Sequence, residues 1–190
     1  MVDIKARGPN FIYAKEFIMQ EYGDDVWDKL LHAMPEAEAD VWKRPHLITE
    51  EYSFSAFKAM IEALSDLVGA MTSEQTAKLY EYVADQSLNT VYKVFLRFAH
   101  PATVIKNYPR LWKRFFTTGT VSVPTAQKGY AILQFNLPEI FLDWLPAACY
   151  GYSKKAIEMS GGTNLTMQEE SRSKGKNGWW NISFKLFWQE

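Results

Sequence analysis

The chain has 190 residues, which suffices for one domain with a substantial core, whereas two independent cores would be small. Its 21 basic and 22 acidic residues leave a net charge of -1, so no overall field favours nucleic acid or an anionic membrane. The only cysteine, Cys149, excludes an intrachain disulfide and suits a reducing compartment. There is no signal-like N-terminus and no apolar run long enough for a membrane span, so we expect a cytoplasmic protein.

Helical spacing of apolar residues dominates the first part of the chain. Three segments each carry one apolar stripe and stop at a glycine or a proline: 10–22, 24–34 and 53–68. In residues 41–50 the apolar residues no longer have helical spacing, which predicts an irregular connection. We therefore expect three amphipathic helices, with one loop before the third.

A long helix and a broken helix follow. Thr72 and Gln75 have the spacing of a capping box, which predicts a helix from there to Phe98. Pro101 is suited to the first turn of another helix, and Pro109 inside that helix predicts a kink or a restart.

The periodicity changes from helical to alternating after Gly119. Two strands, a helix and two more strands fit the pattern: 121–123, 130–135, 141–159, 163–172 and 178–188. Apolar residues on both sides of the second strand predict burial of both its faces. The expected fold class is α+β within one domain: a mainly helical part, 1–118, and a β-β-α-β-β unit, 119–190, that forms a four-stranded antiparallel sheet packed on helices.

Motifs for catalysis and metal binding are missing from the sequence. The three histidines, His32, His46 and His100, are too far apart for a common zinc motif, and no nucleophile or phosphate-loop motif occurs. Cys149 lies among small and apolar residues, so we interpret it as a buried space-filling side chain. We therefore expect no enzymatic activity, no metal and no cofactor.

Basic and aromatic residues are interleaved around Arg110, Lys113 and Arg114. This pattern can bind nucleic acid, but it is also typical of an amphipathic helix whose charges face water. We favour the second interpretation and expect no nucleic-acid partner.

Aromatic residues make up 15% of the chain, which is high for a globular protein. Rings at helical spacing usually form the core, but they also line cavities that hold apolar molecules. The candidate ligand-binding residues are Phe95, Phe98, Tyr108, Trp112, Phe115, Phe135 and Trp144.

Two sequence segments resemble those of known protein families. AKEFIMQEYGDDVWDKLL, residues 14–31, resembles the first helices of the heme-nitric-oxide/oxygen-binding (H-NOX) domains, where an EYG-x-x-x-W phrase joins two helices. The later segments follow an order shared by a superfamily that includes the 4-vinyl reductase domains. PATVIKNYPRLW, residues 101–112, most resembles a bacterial family abundant in myxobacteria. The resemblance implies an H-NOX-like ligand-binding or sensory domain.

The heme-binding residues of H-NOX domains have no match in this resemblance. It places their iron-binding histidine at Leu111 and Trp112, and an indole cannot coordinate iron because its nitrogen is only a donor. It places their Y-x-S-x-R motif, which holds the heme propionates, at FNLPE, residues 135–139, where a carboxylate would repel them. The resemblance therefore implies a relative without heme.

Three functions remain open. The first is a heme-free sensory domain that holds a small apolar molecule and shifts its helix packing on binding, with Trp112 in cofactor space. The second is a protein interaction module with a filled core, whose exposed apolar face recruits a signalling partner. The third is a heme-based gas sensor in which His100 binds the iron. The oligomeric state is left open.

Overall fold

The structure is a computed structural model that describes residues 4–89 and 99–190. Its elements, in chain order, are β1 (Lys5–Arg7), α1 (Gly8–Tyr22), α2 (Asp24–Ala33), α3 (Glu36–Trp42), β2 (Glu51–Ser53), α4 (Phe54–Val68), α5 (Thr72–Asn89), α6 (Pro101–Lys106), α7 (Tyr108–Phe115), β3 (Thr120–Gln127), β4 (Tyr130–Leu137), a 3-10 turn (Glu139–Phe141), α8 (Leu145–Met159), β5 (Thr163–Lys174) and β6 (Trp180–Gln189). The predicted α+β class is confirmed. The predicted end of the long helix, at Phe98, lies outside the described residues.

The β-β-α-β-β unit forms one four-stranded antiparallel sheet in the order β3-β4-β6-β5. Phe135 on β4 pairs with Val121 on β3 and with Ile182 on β6, which fixes the register of the three strands. Because the side chains of a strand alternate between its faces, these rows of buried residues all point to the helices. The four-stranded sheet predicted from the alternating pattern is confirmed.

The prediction that both faces of β4 are buried was wrong. Leu133 and Phe135 lie on the inner face and are buried, whereas Gln134 on the outer face is exposed. Apolar residues on the outer face of β4 are partly shielded by side chains of the neighbouring strand. For example, the centroid of the Tyr130 ring lies 5.2 Å from that of the Phe187 ring on β6. Cross-strand pairs of this kind place apolar residues on a solvated sheet face without a second layer of helices.

The predicted connection 41–50 and the predicted helix 141–159 both need correction. Helix α3 extends to Trp42, whose indole Nε1 donates to the carbonyl oxygen of Ala56 at 3.0 Å and ties this short helix to α4. Residues 139–141 form a 3-10 turn, so α8 begins only at Leu145. The small sheet of β1 and β2 was not predicted, because three residues are too few to show an alternating pattern.

Helices α5 and α8 approach each other closely along their length. Gly151 faces the backbone of α5, where an added Cβ would overlap the carbonyl oxygen of Ala77. Two ion pairs join the same helices, Lys154 with Glu81 at 2.6 Å and Lys155 with Asp85 at 3.1 Å. The ion pairs are partly exposed and contribute little, so the backbone contact at Gly151 sets the distance between the helices. None of the described helices has the length and apolarity needed to cross a membrane.

We expect Gly151→Ala to lower the free energy of unfolding by about 1–3 kcal/mol, because the added methyl group forces α5 and α8 apart. Urea denaturation measures this change. Glu158→Ala on the exposed side of α8 is the control and should change it by less than about 0.5 kcal/mol. Equal stabilities of the two variants would contradict the close contact.

Candidate functional site

An aromatic cluster fills the space between the N-terminal helices, α7 and the turn that precedes α8. We call it the Trp144 cluster, because the ring of Trp144 lies at its centre. Five other rings have centroids between 5.1 and 6.4 Å from this indole: Phe54, Tyr80, Trp112, Phe116 and Phe141. Most of these pairs meet edge to face, the geometry that stabilises aromatic packing beyond burial alone.

A small cavity of about 30 Å³ lies beside the cluster. Its wall combines rings with small side chains of α8: Tyr80, Tyr108, Leu111, Trp112, Phe115, Phe116, Trp144, Leu145, Ala148, Cys149 and Tyr152. A space of this size admits a water molecule, whereas an engineered cavity that binds benzene has about 150 Å³. An apolar ligand therefore requires one of the surrounding rings to move.

The structure brings five of the seven predicted site residues together. The Phe135 ring lies 6.0 Å from Tyr108 and 5.7 Å from Trp112, and Trp112 in turn contacts Trp144. Phe115 lies on the same helix as Trp112 and lines the cavity. The other two, Phe95 and Phe98, lie outside the described residues. That these residues bind a ligand remains a prediction.

Trp112 points into the interior, with only 6% of its surface exposed. Its Nε1 donates to the carbonyl oxygen of Thr118 at 3.2 Å, and its ring stacks on Phe116 with centroids 4.5 Å apart. The indole is therefore both anchored and packed. It occupies interior space, as the sequence analysis expected.

A buried polar relay crosses the helices beside the cluster. The hydroxyl of Tyr80 donates to Oδ1 of Asn10 at 2.8 Å, and Nδ2 of Asn10 donates to the carbonyl oxygen of Phe115 at 2.8 Å. Two hydrogen bonds thus connect α5, α1 and α7. Burial raises the pKa of Tyr80 well above its ordinary value, so the hydroxyl stays protonated and donates.

Sequence reasoning missed Asn10 and Tyr80. Asn10 lies near the start of a helix, where asparagine is common for local reasons, and its partner is 70 residues away. Nothing in the local pattern distinguishes such a residue from an ordinary helix start. Only its complete burial reveals that it needs internal partners.

The other titratable groups at the cavity are also held in their neutral forms. Burial raises the pKa of the Cys149 thiol to about 12 and that of Tyr152 to about 12. Burial also raises the pKa of Tyr108 well above its ordinary value. The predicted burial of Cys149 is confirmed. At neutral pH these groups offer hydrogen-bond donors, but no base and no nucleophilic thiolate.

All three histidines lie among the described residues, and none of them lines the cavity beside the Trp144 cluster. His32 is exposed and contacts the carbonyl of Asp28, and the side chain of His100 is 81% exposed. His46 stacks on Phe11 in the N-terminal part, and burial lowers its pKa. Within residues 4–89 and 99–190, no three histidine, cysteine or acidic side chains are placed to hold a metal ion.

The fold and the site together define an α+β structure whose helices and sheet enclose an aromatic interior. Solved H-NOX proteins have the same fold. A point mutant of T. tengcongensis H-NOX has a TM-score of 0.74 and 11% identity, and the match covers 97% of this chain and 98% of that one. The Fe(II) unliganded H-NOX protein from K. algicida has a TM-score of 0.69 and 13% identity over 97% of each chain.

The predicted H-NOX-like fold is thereby confirmed. At these identities the likeness concerns the fold alone. No protein-family model matches the chain, and neither does any curated protein.

We expect Tyr80→Phe to lower the free energy of unfolding by about 1–3 kcal/mol, because Oδ1 of Asn10 then stays buried without a donor. Chemical denaturation measures the loss. Tyr22→Phe is the matched control: its hydroxyl donates to Oε1 of Gln75 at 2.8 Å in a partly exposed position and should cost less than about 1 kcal/mol. Equal losses in both variants would argue against the relay.

Cys149 should make stability depend on pH above pH 9. The thiol has an ordinary pKa of 9.0 and a pKa of about 12 in the folded protein, so the unfolded state loses its proton first. Its contribution is complete below pH 9 and falls as pH rises toward 12, by about 2 kcal/mol near pH 10.5. Urea titrations should therefore show a smaller alkaline loss for Cys149→Ala than for the native chain. Equal losses would refute the assignment.

Proposed function

We propose that this chain is a non-enzymatic ligand-binding or sensory domain that holds a small apolar molecule in its aromatic interior, without heme. The observation that carries the proposal is the Trp144 cluster, in which six rings meet and four of them, Tyr80, Trp112, Phe116 and Trp144, line a small cavity. Rings in such an arrangement bind flat apolar molecules by contact area and edge-to-face attraction. We also propose that residues 1–190 form one domain. Its cytoplasmic location and its place in the family abundant in myxobacteria remain predictions.

The residues of the described interior do not fit a heme. The H-NOX proteins in the comparison include an Fe(II) unliganded form and one solved to study heme distortion. In this chain the cavity has about 30 Å³, and Trp112 and Trp144 fill the space around it. His100, the candidate iron ligand of the heme-sensor alternative, has its side chain 81% exposed at the surface. These observations support the heme-free form of the proposal.

The cluster lies between helices, so a change in its packing could be transmitted to them as a signal. The relay from Tyr80 through Asn10 to the Phe115 carbonyl joins three helices that border the cluster. A ligand that displaces a ring shifts these helices relative to one another. Such a shift requires that the ligand bind one helix arrangement more tightly than the other.

A protein interaction module is the second candidate, supported by the filled interior and by one exposed apolar turn. Leu47 and Ile48 are adjacent in the chain and expose 53% and 69% of their surface. This turn is well anchored, because the backbone N–H of Leu47 donates to the hydroxyl of Tyr52 at 2.8 Å. A rigid apolar turn is a suitable contact for a partner protein, although two side chains form a small patch.

Native mass spectrometry of the protein purified from its own host should show a bound organic molecule that is released on denaturation. Hemin added to the purified protein should give no Soret band that depends on His100, so the spectra of the native chain and of His100→Ala should agree. No bound molecule would favour the interaction module. A Soret band lost in His100→Ala would establish the heme sensor and overturn the proposal.

A further inference from the structure

Trp144 differs from Trp42 and Trp112 in how its polar group is satisfied. The Nε1 atom of Trp42 donates to Ala56 and that of Trp112 donates to Thr118, whereas the buried Nε1 of Trp144 has no hydrogen-bond partner among the described residues. Among the described residues, Nε1 of Trp180 and Nε2 of His46 are also buried without a hydrogen-bond partner, but neither residue lines the cavity beside the Trp144 cluster. Only 5% of the Trp144 surface is exposed. A buried donor without a partner is unfavourable, so this ring position is less stable than its contacts alone suggest.

The same residue lines two spaces. One is the cavity of about 30 Å³ beside the cluster, and the other is a pocket of about 210 Å³ between α4, α5 and the turn before α8. Trp144 belongs to the walls of both. We call the second space the outer pocket. Its volume exceeds the roughly 150 Å³ of a cavity that binds benzene, so it can receive an aromatic ring.

The outer pocket also contains hydrogen-bond acceptors, which Nε1 of Trp144 lacks in its present position. Its walls carry the carboxylates of Glu62 and Asp143 and the hydroxyls of Thr72 and Thr76. Asp143 already pairs with Nζ of Lys58 in the same wall at 2.6 Å, so Glu62 and the two hydroxyls are the candidate acceptors. Rotation of the Trp144 ring into this pocket would therefore give its Nε1–H an acceptor. Trp144 is the N-cap residue of α8, and its carbonyl oxygen accepts a hydrogen bond from the backbone N–H of Ala148 at 3.1 Å. A rotation about the side-chain bonds leaves this backbone hydrogen bond in place.

We propose that Trp144 is a plug that occupies a binding site for an uncharged planar aromatic molecule of one or two fused rings, and that its ring turns into the outer pocket when such a molecule binds. This inference rests on the proposed function and names its ligand class. The five rings around Trp144 already enclose a flat bicyclic group, the indole itself. The molecule that replaces the indole meets the same rings, of which Phe54 and Tyr80 are the nearest at 5.2 and 5.1 Å.

The ligand class follows from the polarity of the vacated site. The Tyr80 ring contacts the indole, but its hydroxyl is already bound to Asn10, and the remaining ring partners of the indole are phenyl rings or the indole of Trp112. A charged molecule would lose its hydration there without compensation. An uncharged aromatic loses little and gains the ring contacts.

The first test is made on the native chain with free indole as the probe. The seven tryptophan Nε1–H signals are observed by nitrogen-15 NMR, and the Trp144 signal is assigned by its loss in Trp144→Phe. Indole should move the Trp144 signal in a saturable way toward the position of a hydrogen-bonded donor. The Trp42 signal, whose donor is already bonded, is the internal control and should stay in place. A Trp144 signal that does not move up to the solubility limit of indole overturns the plug.

The second test compares two variants that each remove a buried indole. Trp144→Ala removes the plug and should bind indole about 10- to 1,000-fold more tightly than the native chain, because the open state is no longer a minor population. Trp27→Ala removes a ring that is 6% exposed and packs against Trp42, away from the cluster, and should bind indole like the native chain. Calorimetry measures both. Equal affinities of the two variants overturn the proposal.

If Trp144→Ala does not fold, the plug can be tested on the native chain by measuring how fast its tryptophan Nε1–H protons exchange with solvent. Rotation of one ring exposes little surface, so the exchange rate of the Trp144 Nε1–H should be nearly independent of low urea concentrations. The Trp42 proton should exchange faster as urea rises. A Trp144 proton that follows Trp42 in its urea dependence overturns the plug. A molecule found by native mass spectrometry together with an unmoved Trp144 signal would overturn the plug and leave the proposed function intact.

Discussion

The packing of aromatic rings around Trp144 is the interaction on which the interior of this protein depends. Phe54 comes from α4, Tyr80 from α5 and Phe116 from the end of α7, so elements distant in sequence meet at one indole. Six large rings bury much of their surface there, and burial of such side chains contributes the main favourable free energy of folding. The helices therefore take the positions that let these rings meet.

This packing also determines what chemistry the interior can support. Tyr80, Cys149 and Tyr152 have raised pKa values because the rings around them exclude water, and they remain neutral at physiological pH. A site whose titratable groups are all neutral can recognise shape and offer donors. It is poorly suited to proton transfer, which agrees with a role in binding.

The elements with a clear periodicity could be predicted, and those defined by distant partners could not. Pro109 indicated a restart, and α6 does end at Lys106 before α7 begins at Tyr108. The alternating residues of β6 predicted an inward-facing strand. In contrast, β1 and β2 have three residues each and pair with one another across the chain, as Ala6 does with Tyr52, so no local sequence pattern predicts them. For the same reason, Trp112 and Trp144 could be named from sequence but the Asn10–Tyr80 relay could not.

The contact of Gly151 with the backbone of α5 limits how the molecule can move. Two helices in backbone contact cannot rotate about their own axes without a clash, but they can travel together as one rigid lever. Trp144 lies directly before α8, at one end of that lever. Any displacement of α8 would therefore carry α5 with it, so the two helices would change in position and not in shape.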